Sequence, residues 1–253
     1  MGEGLIAGRN PVREALLAGR PVERLLVAEG AGGASLAEIV RLAAERGIAV
    51  QYADRRRLDR LAEGQVHQGV VAIAAPKAYV PLEEILARAQ AQGEPPLLLL
   101  LDEVQDPHNL GSLLRSADGA GAHGVVIPKR RSAGLTMTVA RTSAGAVEYV
   151  PVAQVPNLVQ AIRTLKERGL WVVGADMAGE RDLWDADLTG PLAVVIGGED
   201  KGLGRLVRES CDFLIRIPMR GRVNSLNAGV AGAVILFEIA RQRRGGGRGR
   251  RSG

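Results

Sequence analysis

The chain has 253 residues, 46% hydrophobic and 24% charged, which are ordinary proportions for a globular protein. No apolar run reaches the roughly 20 residues that a membrane-spanning helix needs. The single cysteine, Cys211, excludes an internal disulfide. The N-terminus lacks the basic-then-apolar pattern of a signal peptide. We therefore expect a cytoplasmic protein without a membrane partner.

The excess of positive charge lies at the C-terminus. Residues 241–253 contain six of the 33 basic residues and no acidic residue, so residues 1–240, with 27 basic and 28 acidic groups, carry a net charge of −1. The Gly/Arg composition of residues 244–253 predicts a disordered tail. Such a tail is either a solubilising terminus or a sequence-independent phosphate contact, and the composition does not decide between them.

Residues 1–76 predict a small α/β domain. Asn10-Pro11 is typical of a helix start, and that helix is expected to end before Gly19. Further helices are predicted at 36–46 and 55–62, and strands at 22–27, 48–52 and 70–75. Residues 77–95 carry prolines around an amphipathic stretch at 82–91, which predicts a linker that contains one helix.

Residues 96–243 alternate short apolar runs with helical stretches. The runs are 97–101, 125–127, 171–175, 192–196 and 213–217, and helices are predicted at 110–120, 158–168, 204–210 and 228–243. Continuous apolar runs of this length indicate strands that are buried on both faces. We expect an α/β domain with a parallel sheet covered by helices, whose ligands bind beyond the carboxyl ends of the strands.

The first polar cluster follows the run at 97–101. It reads Asp-Glu-Val-Gln-Asp-Pro-His-Asn-Leu-Gly over residues 102–111 and leads into a helix that carries Arg115. Asn109 has the chemistry of a helix cap, and an exposed arginine on a helix needs no special role. A metal site is not expected, because the whole chain has three histidines and one cysteine.

The second cluster follows the run at 192–196 and is rich in glycine. Gly197, Gly198 and Gly202 allow the backbone to approach a ligand closely, although such a sequence is also typical of a simple turn. The cluster matches neither a phosphate-binding loop nor a dinucleotide fingerprint. Glu199 argues against a phosphate ligand and suits a cationic or hydroxyl-bearing one.

The third cluster follows the run at 213–217 and precedes the last predicted helix. It reads Ile-Pro-Met-Arg-Gly-Arg-Val-Asn-Ser-Leu-Asn over residues 217–227. Ser225 and Asn227 both resemble helix caps. The cluster nevertheless holds more amide and hydroxyl groups, beside two arginines, than capping one helix requires.

Together the three clusters resemble the SpoU (TrmH-type) family of RNA ribose methyltransferases. They have its order of motifs: D-x-x-x-D-P-x-N-x-G-x-x-x-R, then G-x-E-x-x-G, then I-P-M followed by S-L-N. The resemblance covers residues 97–243. The stretches Gly-Arg-Asn-Pro-Val at 8–12 and His-Gln-Gly-Val-Val-Ala at 67–72 are similar to the RlmB-like branch, which methylates a guanosine in large-subunit ribosomal RNA.

The resemblance implies a fold and partners that composition does not show. Residues 96–243 are expected to form a SPOUT domain with a deep trefoil knot, and residues 1–76 an RNA-binding domain similar to kink-turn-binding ribosomal proteins. The implied methyl donor is S-adenosylmethionine, with no metal. The implied partners are ribosomal RNA and a second copy of the chain, which binds through the C-terminal domain to form a homodimer.

The resemblance also assigns site residues. The positions that match cofactor contacts are Gly197, Gly198, Gly202, Ile217, Met219 and Leu226. The positions that match the catalytic site are Asn109, Arg115, Glu199, Ser225 and Asn227. Family members are proposed to use the arginine at position 115 to activate the ribose hydroxyl. Because a guanidinium keeps its proton near neutral pH, we expect a fixed cation there, with the RNA phosphate as an alternative base.

One departure from the family pattern concerns the start of the last helix. Many relatives continue S-L-N-V-S, whereas this chain has Ala228-Gly229, so looser packing is expected there.

Four alternatives are considered, of which a resistance methyltransferase is the harder to exclude. A transfer-RNA ribose methyltransferase of the same family usually lacks a domain like 1–76, whereas a resistance methyltransferase of ribosomal RNA shares the layout. A non-catalytic ribosome-assembly protein would not need Asn109, Arg115, Glu199 and Asn227 together. A nucleotide-binding oxidoreductase would need a dinucleotide fingerprint at its first strand.

Overall fold

The computed structural model describes residues 4–199 and 201–246. The chain divides into two compact units. The first consists of the residues up to Ala78 together with Gly134–Tyr149, and the second of Tyr79–Ala133 and the chain from Val150 onward. The predicted α/β class, with a small domain before a larger one that contains a parallel sheet, is confirmed.

The elements follow in chain order. They are β1 (Gly4–Ala7), α1 (Arg9–Leu17), β2 (Val22–Ala28), α2 (Ala34–Glu45), β3 (Ala49–Ala53), α3 (Arg55–Leu61), β4 (Val70–Ala74), α4 (Leu82–Gln92), β5 (Leu97–Asp102), α5 (Pro107–Ala120), β6 (Gly124–Pro128), α6 (Met137–Thr142), β7 (Val152–Val155), α7 (Leu158–Glu167), β8 (Trp171–Ala175), β9 (Arg181–Asp182), β10 (Leu192–Gly197), α8 (Arg205–Ser210), β11 (Phe213–Arg216) and α9 (Ala228–Gly246).

The first unit is built on a four-stranded sheet in the order β1-β4-β2-β3. β4 runs antiparallel to both of its neighbours, whereas β2 and β3 are parallel. All five residues of β4 are buried, because apolar clusters cover both faces of the sheet. Helices α1 and α2 pack on one face, where Val27 is buried, and Leu58 of α3 is buried on the other.

The segment Gly134–Tyr149 belongs to the first unit by its contacts, although the sequence places it within 96–243. Met137 of α6 packs against the cluster that contains Leu58. The buried carboxylate of Glu148 binds Arg20 at 2.6 Å and Lys77 at 3.2 Å. A contiguous reading of the sequence cannot show this division, because it follows from contacts between distant residues.

The second unit contains a seven-stranded sheet in the order β7-β6-β5-β10-β8-β11-β9. Every neighbouring pair is parallel. Leu97–Asp102 is buried throughout, as a strand covered on both faces requires. Since β5 and β8 both flank β10, the carboxyl ends of these three strands meet at one edge.

Three boundaries differ from the sequence prediction. Ile85 of α4 is fully buried in the core of the second unit, so the helix predicted for the linker packs as part of that unit. Helix α5 begins at Pro107 rather than at residue 110. Helix α9 continues to Gly246. Residues 247–253 of the predicted tail lie outside the described residues.

Within the described residues, no helix combines the length and apolar character that crossing a membrane would need. The trefoil knot and the likeness of the first unit to kink-turn-binding proteins stay predictions.

Candidate active site

A cavity of about 310 Å³ opens at the carboxyl ends of β8, β10 and β11. Its lining includes all six positions that the sequence matched to cofactor contacts, namely Gly197, Gly198, Gly202, Ile217, Met219 and Leu226. Glu199 and Ser225 line it as well. The second and third sequence clusters therefore share one cavity.

The turn after β10 needs glycine for steric reasons. A Cβ atom on Gly197 would lie 2.2 Å from the carbonyl carbon of Gly202, and one on Gly198 would lie 2.5 Å from the carbonyl oxygen of Glu103. Gly202 also has a φ of 61°. Because backbone rather than side chain occupies this space, larger residues would displace the turn.

Asp102, at the end of β5, holds the same turn through two hydrogen bonds. Its carboxylate accepts a hydrogen bond from the backbone nitrogen of Gly204 at 2.7 Å, and its carbonyl oxygen accepts one from Gly198 at 2.8 Å. Burial raises the pKa of Asp102, while the bond from Gly204 opposes that rise. Asp102 therefore connects the first cluster to the second through these two hydrogen bonds and has a structural role.

Asn109 connects all three clusters. Its side-chain nitrogen donates to the carboxylate of Glu199, and its oxygen accepts the side-chain nitrogen of Asn227 at 2.9 Å. The oxygen of Asn227 in turn accepts the backbone nitrogen of Val230 at 3.3 Å, in the first turn of α9. Since a carboxylate only accepts, Glu199 sets the direction of the whole chain of hydrogen bonds.

The sequence suggested helix-capping roles for Asn109, Ser225 and Asn227, and the structure supports such a role for Asn227 alone of the three. Asp106, not Asn109, caps α5, because its carboxylate accepts the backbone nitrogen of His108 at 2.9 Å. Asn109 is buried, and both ends of its side-chain amide are hydrogen-bonded, one to Glu199 and the other to Asn227. Asn227 donates to Asn109 and also accepts the backbone nitrogen of Val230. Ser225 lines the cavity, whereas the two asparagines lie behind Glu199 and are not part of the lining.

The looser packing expected at Ala228-Gly229, relative to the family pattern, stays a prediction. Both residues are buried, and a Cβ atom on Gly229 would lie 3.1 Å from the hydroxyl oxygen of Ser112 on α5. Glycine here lets α9 approach α5 closely.

Arg115 does not join this group. It is exposed on α5 and does not line the cavity of its own chain. Across residues 4–199 and 201–246, no carboxylate lies within ion-pair distance of its guanidinium. Arg220 and Arg222 of the third cluster are also exposed and stay outside the lining.

Sequence reasoning missed Asp176 and Arg208, which both line the cavity. Asp176 directly follows β8, and its side chain is only 8% exposed. One carboxylate oxygen binds Arg208 at 2.6 Å, and the other accepts the backbone nitrogen of Ala178 at 2.9 Å. Its position beyond a buried parallel strand was the available signal.

Metal-dependent and thiol-dependent catalysis find little support in the geometry of the described residues. Among the described residues, no group of three or more His, Cys, Asp or Glu side chains is placed to hold a metal ion. Burial raises the pKa of the Cys211 thiol to about 12, so it is not a thiolate near neutral pH. The absence of a metal from the reaction stays a prediction.

Comparison with known proteins agrees with this geometry. The SpoU rRNA Methylase family matches residues 96–237, and the family described as RNA 2′-O ribose methyltransferase substrate binding matches residues 5–80. YacO of Bacillus subtilis, which its name assigns provisionally to the TrmH family of tRNA/rRNA methyltransferases, is 48% identical over 94% of this chain and 95% of its own.

Solved structures give the same result. The SpoU methyltransferase AviRb from Streptomyces viridochromogenes, in complex with AdoMet (S-adenosylmethionine), is 30% identical, with a TM-score of 0.80 over 96% of this chain and 92% of its own. An AdoMet-bound rRNA methyltransferase from Sinorhizobium meliloti is 28% identical, with a TM-score of 0.78 over 94% of this chain and 87% of its own. The chain therefore belongs to the SpoU family of S-adenosylmethionine-dependent RNA methyltransferases.

Proposed function

We propose that this enzyme methylates the ribose 2′-hydroxyl of a guanosine in large-subunit ribosomal RNA, and that it does so in the cytoplasm. The observation that carries the proposal is the hydrogen-bonded chain of Glu199, Asn109 and Asn227 beside the cavity, since it assembles all three motifs of the ribose methyltransferase pattern. The match of residues 5–80 to a ribose methyltransferase substrate-binding family supports the ribose as the target.

The cavity fits S-adenosylmethionine. Its volume lies at the small end of the range for ligand pockets, and its walls combine apolar side chains and glycine backbone with five charged residues, Asp176, Glu199, Lys201, Arg208 and Arg216. We assign the adenosine and methionine parts to the walls formed by Gly197, Gly198 and Gly202 and by Ile217, Met219 and Leu226. When bound, the donor supplies a methyl group on a positively charged sulfur.

Two carboxylates have different proposed partners in that cavity. Asp176 suits the ribose hydroxyls of the donor, because it is nearly buried and each of its oxygens has lone pairs to spare after binding Arg208 and Ala178. Glu199 suits a cationic group such as the methionine amino group. Asn109 holds Glu199 in place and is itself held by Asn227, and Ser225 offers a hydroxyl to the substrate.

The ribose hydroxyl is a weak nucleophile near neutral pH, so the enzyme must position it and stabilise the charge that forms as its proton leaves. We propose that Arg115 does this as a permanent cation, holding the adjacent phosphate and the developing alkoxide. The proton then passes to the RNA phosphate or to water. This role requires no titration of the guanidinium.

We propose that Arg115 acts at the cavity of a second copy of the chain, because it is exposed and outside the lining of its own. The outer face of α9 carries an apolar stripe in which Val230 is 49% and Phe237 is 53% exposed. The Phe237 ring lies over Gly119, one helical turn after Arg115 on α5. We propose that this stripe binds its equivalent in a homodimer, so that Arg115 of one protomer serves the cavity of its partner.

The transfer-RNA alternative is the closest competitor, because the names of curated relatives cover both RNA classes. The substrate-binding match at residues 5–80 favours ribosomal RNA, since the transfer-RNA branch usually lacks such a domain. The test maps alkali-resistant ribose positions in both RNAs. It compares a gene-deletion strain with the same strain after the gene is restored. Loss of one guanosine position in large-subunit RNA supports the proposal, and loss only in transfer RNA overturns it.

A further inference from the structure

The arginines of α3 differ from the other arginines that precede residue 79. Arg9, Arg13, Arg20, Arg24, Arg41 and Arg46 each donate to a carboxylate or a backbone carbonyl within the first unit. Arg55, Arg56, Arg57 and Arg60 are exposed and, within the part of the chain that the structure describes, have no side-chain hydrogen bond or ion pair.

This concentration of charge is unfavourable for the isolated helix. Arg56 and Arg60 are one turn apart, as are Arg57 and Arg60, and like charges at these spacings repel each other. Asp59, the single acidic residue of α3, is engaged with His67 at 2.9 Å. Four arginines in α3 therefore face one carboxylate, and an external polyanion would supply the missing counter-charges.

The helix is nevertheless rigidly placed. Leu58 is fully buried against the sheet, and the carboxylate of Asp54 caps the helix by accepting the backbone nitrogen of Arg56 at 2.9 Å. With Leu58 inward, the helical repeat directs Arg56, Arg57 and Arg60 outward. Arg56 and Arg60 are about 6 Å apart along the helix axis, so both can contact the backbone of one nucleic-acid strand.

The geometry favours phosphate contacts over base contacts. The nearest exposed aromatic side chain in the sequence, Tyr52, is paired with Val27 in the strand register. Directly opposed residues share a face of the sheet, so Tyr52 lies on the face of α1 and α2, away from α3. Exposed Glu29 and Glu63 flank α3 and limit the positive surface to the helix itself.

We propose that Arg56, Arg57 and Arg60 form a phosphate-binding surface for the RNA substrate, which contacts its backbone without reading its sequence. This inference rests on the proposed function for the identity of the RNA. It assigns to α3 the electrostatic part of substrate binding, whereas the choice of nucleotide belongs to the cavity.

The test compares two triple variants of the full-length enzyme with the same change in charge. One is Arg56→Gln, Arg57→Gln and Arg60→Gln. The matched control is Arg13→Gln, Arg24→Gln and Arg41→Gln, which removes three arginines that are already paired with glutamates in the same unit. Binding of large-subunit ribosomal RNA is measured at several KCl concentrations, together with S-adenosylmethionine binding and the melting temperature.

We expect the slope of log affinity against log salt to flatten by about 2 to 3 in the α3 variant and to stay at the wild-type value in the control. S-adenosylmethionine binding and melting should be unchanged. An unchanged slope in the α3 variant, or equal flattening in both variants, would overturn the proposal. So would normal binding of naked RNA with loss of binding to ribosomal particles, which would indicate an acidic protein partner.

Failure of the proposed function gives a different result. If the wild-type enzyme methylates transfer RNA and leaves ribosomal RNA unchanged, the substrate assignment is wrong. The two variants are then compared on transfer RNA, where the same difference in slope still tests α3.

Discussion

The side-chain nitrogen of Asn227 donates to the side-chain oxygen of Asn109 over 2.9 Å, which links the start of α9 to the first turn of α5. The other half of the Asn109 amide binds Glu199. Asn227 and Glu199 are 118 and 90 positions from Asn109 in the sequence. Their hydrogen bonds to Asn109 join three separate motifs into one site.

This arrangement predicts that Asn109→Asp is more harmful than Glu199→Gln. The aspartate would place a second carboxylate against Glu199, whereas the glutamine oxygen of Glu199→Gln still accepts from Asn109. We expect Asn109→Asp to lower kcat/KM by about 10- to 100-fold through the lost hydrogen bond. Steady-state kinetics of both variants on the same RNA will show the order, and equal losses would contradict it.

Gly198→Ala should impair binding of the methyl donor. The new methyl group would overlap the Glu103 carbonyl oxygen, so the turn must move. We expect S-adenosylmethionine affinity, measured by calorimetry, to fall by at least about tenfold. Gly190→Ala is the matched control, since nothing lies within 4 Å of its added Cβ atom and its φ is not positive. A normal affinity for Gly198→Ala would disprove the placement of the donor.

Asp176→Asn tests the proposed contact with the donor ribose. The amide retains the shape but offers a weaker acceptor, so affinity for S-adenosylmethionine should fall about tenfold while RNA affinity stays constant. Arg208→Gln should act in the same direction, because it releases Asp176 from its ion pair.

The control for Arg208 lies on the same helix. Arg205 forms an exposed pair with Glu209 at 3.0 Å, and such pairs contribute little. Arg205→Gln should therefore bind the donor like the wild type. If Asp176→Asn also discriminates normally between the donor and an analogue that lacks a ribose hydroxyl, Asp176 does not contact the ribose.

Mixing Arg115→Ala with Gly198→Ala, at an S-adenosylmethionine concentration too low to occupy the Gly198→Ala cavity, tests whether Arg115 acts across a dimer. Arg115→Ala keeps a working cavity, and Gly198→Ala keeps a working Arg115. In a random mixture, half of the dimers are mixed and each has one complete site, so activity should recover to about a quarter of the wild-type value. If the subunits exchange and activity does not recover, Arg115 acts in the site of its own chain.

The dimer itself is tested at Phe237. Phe237→Glu puts a charge on the exposed stripe of α9 without touching the cavity. Light scattering should show a monomer that still binds S-adenosylmethionine but has lost methyl transfer. A stable dimer with full activity would contradict the proposed interface.

Much of the second unit's sheet was predictable because its strands are unusually uniform. Leu97–Asp102 and Leu192–Gly197 are apolar runs buried on both faces, and their glycine and polar ends mark the site. The short strands Gly4–Ala7 and Val152–Val155 were missed, because four residues carry too little pattern to stand out.

The cavity lining was largely predicted, since glycine turns and motif spacing identify the backbone near a ligand. The role of Asp176 and the position of Arg115 outside the lining were not predicted. Asp176 has no distinctive neighbours in the sequence, and its importance comes from Arg208, which is 32 residues later and adjacent only in the fold. Arg115 carries the family pattern, but its exposure on α5 shows that sequence position alone does not bring it to the cavity of its own chain.

The central claim is best tested by giving the purified enzyme S-adenosylmethionine with a labelled methyl group, together with unmodified large-subunit ribosomal RNA and transfer RNA in one reaction. Complete digestion and mass spectrometry then locate the label. We expect labelled 2′-O-methylguanosine from one position of the ribosomal RNA. A label on a nucleobase, or only in transfer RNA, would contradict it.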